Sequence, residues 1–383
     1  MQERSAPFPG LAHLPCFEGL RALAASAVVV HHAAAVRASL LKVATPATST
    51  AAVLDLGVAV FFVISGFLIY RPFARAHLDG SRPSRLSTYL WQRALRIFPA
   101  YWLALTGLWT LGVIDLGPAG AAWRYYALVH VYDARSVFQG IVQAWSLATE
   151  ITFYLFVPVW AAVLRRVARP GRPALVAELA GVGGLVLAGY VSRAAFSATD
   201  RVWAGPDVTM RAVSFTWLPN NIDLFALGMG LAVLSLAVER GLLPVRWAEA
   251  AGRWPALWWV GAASLFCWYA WSVGPPPFRV GYADLVWQRR QLVYGAIGVG
   301  LLLPAVFGDQ RAGLIRRALQ WSPVAWVGTV SYGLYLCTTT GSRRCRTGST
   351  LLRRPPTWPR CSPSGSVSAW PAPQPACSAS NAH

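Results

Sequence analysis

Apolar runs long enough to cross a bilayer recur along almost the whole chain, at about 19–36, 53–70, 97–116, 145–164, 174–192, 222–238, 255–273 and 291–307, with a ninth opening near 324. A spanning α-helix needs about 20 predominantly apolar residues. In lipid, moreover, every backbone N–H and C=O must be bonded within its own segment or a closed barrel. The recurrence therefore predicts an all-α, polytopic integral membrane bundle of about nine to ten transmembrane helices. Composition agrees, since 55% of residues are hydrophobic and 13% are charged, a balance foreign to a soluble enzyme. The formal net charge of +19 does not point to nucleic acid. The arginines sit between apolar runs, where they orient a chain in the membrane.

Arginines also suggest the topology. Arg71, Arg75, Arg82, Arg85, Arg93 and Arg96 fall in the stretch 71–96. With that stretch in the cytoplasm, Arg165/Arg166/Arg169/Arg172, Arg240/Arg246/Arg253 and Arg311/Arg316/Arg317 lie on the same side, and so does the N-terminus. This requires that the less apolar stretch 117–144 does not cross, so it reads as a re-entrant or surface segment. The first run reads as an uncleaved signal anchor, because many spans follow it. The expected organisation is a cytoplasmic segment 1–18, one membrane domain 19–337 and a basic, Ser/Pro-rich tail 338–383. The apolar pattern of VAWVGTVSYGLYLC stops at Cys337, and no acidic residue follows. An abrupt change inside a spanning helix reads as a frameshift near codon 337 that truncates the last helix, with a disordered basic tail as the alternative.

Several clusters within the runs carry polar chemistry. In FEGLRALAASAVVVHHAAAV, Arg21 and His32 are eleven residues apart. At about 100° per residue they return to nearly one helix face, with His32 roughly 16 Å deeper. In RALRIFPAYWLAL, Arg93 and Arg96 share a face, Pro99 is expected in the first turn, and the arginine pair suits a phosphate. AWSLATEITFYLFVP puts Glu150 about a turn inside a span, where a carboxylate needs a partner. In GVAVFFVISGFLIYRPF, Ser65 and Gly66 offer a surface for close helix approach, and Arg71 marks the membrane interface. SYGLYL brings the hydroxyls of Tyr332 and Tyr335 into an apolar segment, where they need hydrogen-bond partners. His130 and Asp133 read as a solvated pair, and the glycines of GAIGVG as a packing surface. Cys16, Cys267 and Cys337 lack metal-ligand or redox spacing, and no metal site is expected.

From residue 17 to about 337, these ordered landmarks resemble the membrane-bound acyltransferase 3 family, integral O-acyltransferases of bacterial polysaccharides, lipids and secondary metabolites. FEGLRALAASAVVVHH matches the family's DGLRA…H pattern, with ten residues between Arg21 and His32 and with Glu18 in place of the usual Asp. The family's usual YLWH ending of SYGLYL is absent. The resemblance selects His32 rather than His31, with Arg21 its partner, and matches Glu150 to the family's carboxylate; as chemistry, His32 is the expected general base, and Glu150 is expected to orient the ring or hold its charge. It matches Arg93 and Arg96 to the family's paired arginines, which would hold acyl-CoA, with acetyl-CoA the expected form. No permanently bound cofactor is implied. The implied partners are the lipid bilayer, the acyl-CoA donor and a hydroxyl on a carbohydrate, cell-surface glycan, lipid or glycosylated metabolite. The alternatives are a membrane transporter or flippase for a glycan or lipid, and an inactive truncated acyltransferase. The concentration of the ionisable residues of interest in the first half of the chain, rather than in inverted halves, favours an enzyme.

Overall fold

Each apolar run falls on a helix in the computed structural model, which describes residues 14–41, 46–198, 204–205, 208–273, 284–308, 310 and 313–347. In chain order the helices are α1 (Cys16–Leu41), α2 (Pro46–Val53), α3 (Leu56–Leu78), α4 (Leu86–Thr110), α5 (Trp123–Tyr126), α6 (Ala144–Val167) and α7 (Arg172–Ala198). There follow α8 (Met210–Ser214), α9 (Ile222–Glu239), α10 (Val245–Arg253), α11 (Pro255–Trp268), α12 (Asp284–Val306), α13 (Leu314–Leu319) and α14 (Ser322–Thr347). Among the described residues the β structure is a single ribbon of Ala204–Gly205 against Val208–Thr209. The fold is all-α. Four stretches, Ser49–Leu78, Ala144–Val167, Arg172–Ala198 and Ile222–Glu239, are long and apolar enough to cross a membrane by length and composition. Between α4 and α6 there are only short helical turns, the longest being Trp123–Tyr126, so no helix of spanning length forms there.

Three boundaries differ from the sequence expectation. First, α3 continues through Arg71, Arg75 and His77 to Leu78, so these residues are helical and not part of a loop. Arg71 is only 3% exposed and donates to Ser235 and Glu239 of α9, so it is a buried, paired charge. Second, α4 starts at Leu86, which places Pro99 inside the helix and Arg93 and Arg96 on its body. A proline in a helix interior frees one backbone carbonyl, which membrane helices tolerate where neighbours supply donors. Third, α14 runs to Thr347, ten residues past the Cys337 where the apolar pattern stops. The rest of the tail, from 348, lies outside the described residues.

The core forms around α3, which packs most extensively on α9, while α1 packs on α14. Gly66 and Gly228 make the first contact possible. A Cβ on Gly66 would overlap the Phe225 carbonyl, and one on Gly228 would overlap the Val63 carbonyl. Small residues let backbones meet where lipid supplies no hydrophobic drive between helices. Beside this seam, Phe225 stacks between Phe62 (centroids 4.5 Å apart) and Phe153 (4.1 Å).

Polar contacts join helix ends around the C-terminus of α3. There Arg165 donates to the Ser81 carbonyl at 2.8 Å, the Gly171 N–H donates to Leu78 at 3.1 Å, and Arg240 pairs with Asp79. Arg165 and Arg240 thus meet at the C-terminal end of α3. Arg316, expected in a loop, is instead buried and donates to the Pro304 and Phe307 carbonyls at the end of α12.

Two stability predictions follow from this packing. Gly228→Val forces α9 off α3 and should cost about 2–3 kcal/mol, the scale of overpacking; thermal unfolding in detergent measures it, and an unchanged transition contradicts the close contact. The hydrogen bond from Arg240 holds the Asp79 carboxyl below its ordinary value. A depressed carboxylate adds stability that is present above its unfolded pKa of about 3.9 and is lost as pH falls through the folded value. Asp79→Asn should therefore flatten the acid limb of the unfolding temperature below about pH 4, by a modest amount because the pair is partly exposed. Identical acid limbs in the two proteins count against the pair.

Candidate functional site

Two adjoining cavities hold Arg21, His32, Ser65, Arg96, Glu150, Tyr332 and Tyr335. The first, about 510 Å³, is lined by Glu18 and Arg21 of α1, Ser65 of α3, Arg96 of α4, Glu150 and Tyr154 of α6 and Tyr332 and Tyr335 of α14. Glu150 Oε1 accepts hydrogen bonds from Ser65 Oγ and Tyr154 Oη, both at 2.6 Å. These supply the partners that an intramembrane carboxylate requires. Arg21 donates to Glu18 one turn earlier, at 2.8 Å. Tyr332 Oη donates to the Ile97 carbonyl at 2.9 Å, and Tyr335 Oη lies 2.6 Å from Ser146 Oγ. Arg93, one turn before Arg96 on α4, does not line the cavity. Its guanidinium lies 5.8 and 5.9 Å from the ring centres of Tyr89 and Tyr154, and its buried Nε has no hydrogen-bond partner.

The second cavity, about 210 Å³, contains His31 and His32 of α1 together with Asp55, Trp145, Arg290, Tyr294 and Tyr335. Asp55 precedes α3 and accepts from Arg290 Nη2 at 2.6 Å and Tyr294 Oη at 2.5 Å. The Arg290 guanidinium also sits 4.4 Å from the Tyr294 ring centre. His31 Nδ1 donates to the Ala51 carbonyl at 3.1 Å, and the two imidazoles meet edge to face with centroids 5.1 Å apart. Among the described residues no side chain hydrogen-bonds His32, whose ring faces this cavity.

Val58, Phe62 and Tyr335 line both cavities, so the two are neighbours across one wall. Of the residues expected to act together, Arg21, Arg96 and Glu150 share the first cavity, His32 occupies the second, and Arg93 packs beside the first on aromatic rings. Glu150, expected to orient the His32 ring, is instead held by Ser65 and Tyr154. The carboxylate in the cavity of His32 is Asp55.

Asp55, Arg290 and Tyr294 are site residues that sequence reasoning passed over. A signal existed, because Asp55 and the WQRRQ segment abut apolar runs, where ionisable groups are costly. His130 is also not as expected. It is 1% exposed, stacks on Tyr125 with centroids 4.8 Å apart, and leaves both ring nitrogens unpartnered. Burial pushes its pKa down to about 4. Asp133 pairs with Arg124 at 3.0 Å.

Removing one member of a buried ion pair leaves an uncompensated charge. Asp55→Leu alone should therefore cost about 3–5 kcal/mol, whereas Asp55→Leu with Arg290→Leu should recover most of that loss. Thermal unfolding of the three proteins tests this, and equal destabilisation by the single and double variants contradicts the pairing.

The family model described as an acyltransferase domain, acyltransferase 3, matches residues 14–339. "Nodulation protein 10" of Rhizobium leguminosarum bv. viciae is 26% identical over 305 residues, covering 73% of this chain and 70% of that protein. "Peptidoglycan O-acetyltransferase OatA" of Listeria monocytogenes serovar 1/2a is 24% identical over 347 residues, covering 85% of this chain and 48% of that protein. The chain thus spans about half the length of the second relative. No solved structure matches the chain significantly.

Proposed function

The chain belongs to the acyltransferase 3 family, and on that premise we propose that it moves an acyl group, acetyl in the first instance, from acyl-CoA to a hydroxyl of a glycan, lipid or glycosylated metabolite. The observation that carries this reading is the pair of adjoining cavities, one lined by Arg21 and Arg96 together with Glu18 and Glu150 and one containing an imidazole, with Tyr335 in their common wall. An acyl-CoA donor is a polyanion at one end and a thioester at the other, and such a molecule needs both surroundings.

In this reading α1, α3, α4, α6, α7, α9, α11, α12 and α14 cross the membrane, with the N-terminus in the cytoplasm. The arginine-rich end then faces the compartment that supplies acyl-CoA. Arg96 and Arg21 hold phosphate charges at the mouth of the larger cavity, and Arg93, one turn away on α4, adds positive charge behind them. The acyl end reaches the common wall, and the acceptor hydroxyl enters the cavity of His32. An imidazole suits proton acceptance near pH 7. His32 takes the hydroxyl proton as the oxygen attacks the thioester carbonyl. The new C–O bond forms, the C–S bond breaks, and the thiolate leaves with the proton that His32 returns. Asp55, in the same cavity, stabilises the transient imidazolium through charge.

The test compares acyl mass increments on surface glycans and glycolipids of cells carrying the intact gene with those of cells carrying single substitutions. His32→Ala should reduce transfer by at least about 10²-fold, the contribution of a positioned base. His31→Ala should be milder, and equal losses count against a single base. Arg93→Ala and Arg96→Ala should each raise the KM for acyl-CoA by about tenfold, since a hydrogen bond to a charged group contributes about 1.5–3 kcal/mol. Unchanged donor affinity in both removes the phosphate role.

A further inference from the structure

A third cavity, about 720 Å³, lies between α7, α9, α11 and α12. Its walls are apolar apart from Arg193, Asp223, Gln288 and Gln291, and Leu257, Leu292 and Trp258 at its margin are exposed on the outer surface of the bundle. The polar residues gather at one end. Arg193 pairs with Asp223 at 2.9 Å and donates to Gln288 Oε1 at 2.8 Å, so the charges are balanced internally. From Gln288 to Gly300 the groove follows α12 for roughly 18 Å, at about 1.5 Å per residue.

Gln291 connects this groove to the cavity of His32, because it lines both. It is 1% exposed, and its Nε2 donates to the Asn220 carbonyl and Asn221 Oδ1, each at 3.2 Å. Its Oε1 is buried and has no hydrogen-bond partner. An unsatisfied buried acceptor costs free energy unless a donor reaches it. Gln291 stands where an apolar groove meets the imidazole cavity, a place suited to a hydroxyl attached to a hydrocarbon chain.

We propose that the groove binds the hydrocarbon chain of an amphiphilic acceptor and that Gln291 Oε1 accepts a hydrogen bond from its hydroxylated head, which then lies in the cavity of His32. The fate of the head group rests on the acyltransferase reading, whereas binding of the chain does not. A chain immersed in the bilayer reaches the groove from its exposed margin without leaving apolar surroundings. A free sugar makes the polar contact alone.

The test uses the full chain in lipid nanodiscs and a dodecyl glucoside with a diazirine at the chain terminus. Photolabel should appear on the α11 and α12 peptides that contain Trp258, Leu292 and Ala296. Excess unlabelled dodecyl glucoside should suppress it, while glucose should not. Ala296 is exposed within the groove, so Ala296→Trp fills the space without disturbing the core and should cut labelling at least about tenfold through loss of several buried methylenes. Gln291→Leu should weaken competition by dodecyl glucoside several-fold while leaving labelling by a headless alkyl diazirine unchanged.

Labelling spread evenly over the outer helices, labelling unchanged by Ala296→Trp, or equal labelling by a diazirine phosphatidylcholine overturns the proposal, the last by identifying a seat for bulk lipid. Acyl transfer is read separately on the same samples. Transfer to glucose and dodecyl glucoside with equal KM, and without groove labelling, removes the groove and retains the acyltransferase. Groove labelling without any transfer retains the groove and removes the acyltransferase.

Discussion

In hydrocarbon a charge must find another charge or a hydrogen-bonding group on a neighbouring helix, and α3 meets this requirement along its whole length. Asp55, immediately before it, is bound by Arg290 of α12. Ser65, near its middle, donates to Glu150 of α6. Farther along, Tyr70 donates to Glu178 of α7 at 2.5 Å, His77 Nδ1 lies 2.8 Å from the same carboxylate, and Arg71 pairs with Glu239 of α9. Each link fixes the height of one neighbour against α3. Sliding any of these helices by a turn would leave a buried polar group unpaired, a larger penalty than the loss of a few apolar contacts that lipid tails can replace.

That register determines the site. Val58, Phe62 and Ser65 follow one another at helical spacing on a single face of α3, and this face separates the two cavities. The links at Asp55 and Ser65 flank it. The pairs that hold α12 and α6 in place therefore also bring Arg290 and Glu150 to opposite sides of the wall. Structural and site chemistry thus draw on the same residues at Asp55 and Ser65.

The helical class was legible because a spanning helix has to declare itself as a long apolar run, and those runs fall on α1, α3, α4, α6, α7, α9, α11, α12 and α14. Arg21, His32, Arg96 and Glu150 were legible as ionisable groups in apolar surroundings. Their partners were less so, because pairing across the bundle has no local signature. Arg71 and Glu239 are 168 residues apart, and Asp55 and Arg290 are 235 apart. Arg71 at the end of an apolar run looks like an interface arginine until its partner is known, and Pro99 looks like a helix start until α4 is seen to begin at Leu86. His130 shows the same limit, since its burial comes from a fold of short turns that periodicity does not describe.

The wall between the cavities also bears on acyl size. Tyr335 is anchored through its hydroxyl to Ser146 Oγ and to the Gln143 carbonyl at 3.2 Å, so its ring cannot turn aside without breaking both contacts. Phe62 is held in the stack with Phe225, and that stack lies on the closely packed seam of α3 and α9. A wall built from two anchored aromatic rings and a valine yields little, because moving it means disturbing the core that sets the register of the bundle. If acyl transfer proceeds from one cavity to the other, the acyl carbon passes this wall while the phosphates stay with the arginines. A short acyl group then passes at the least cost, and each added methylene asks for space that only a shift of α3 against its neighbours provides.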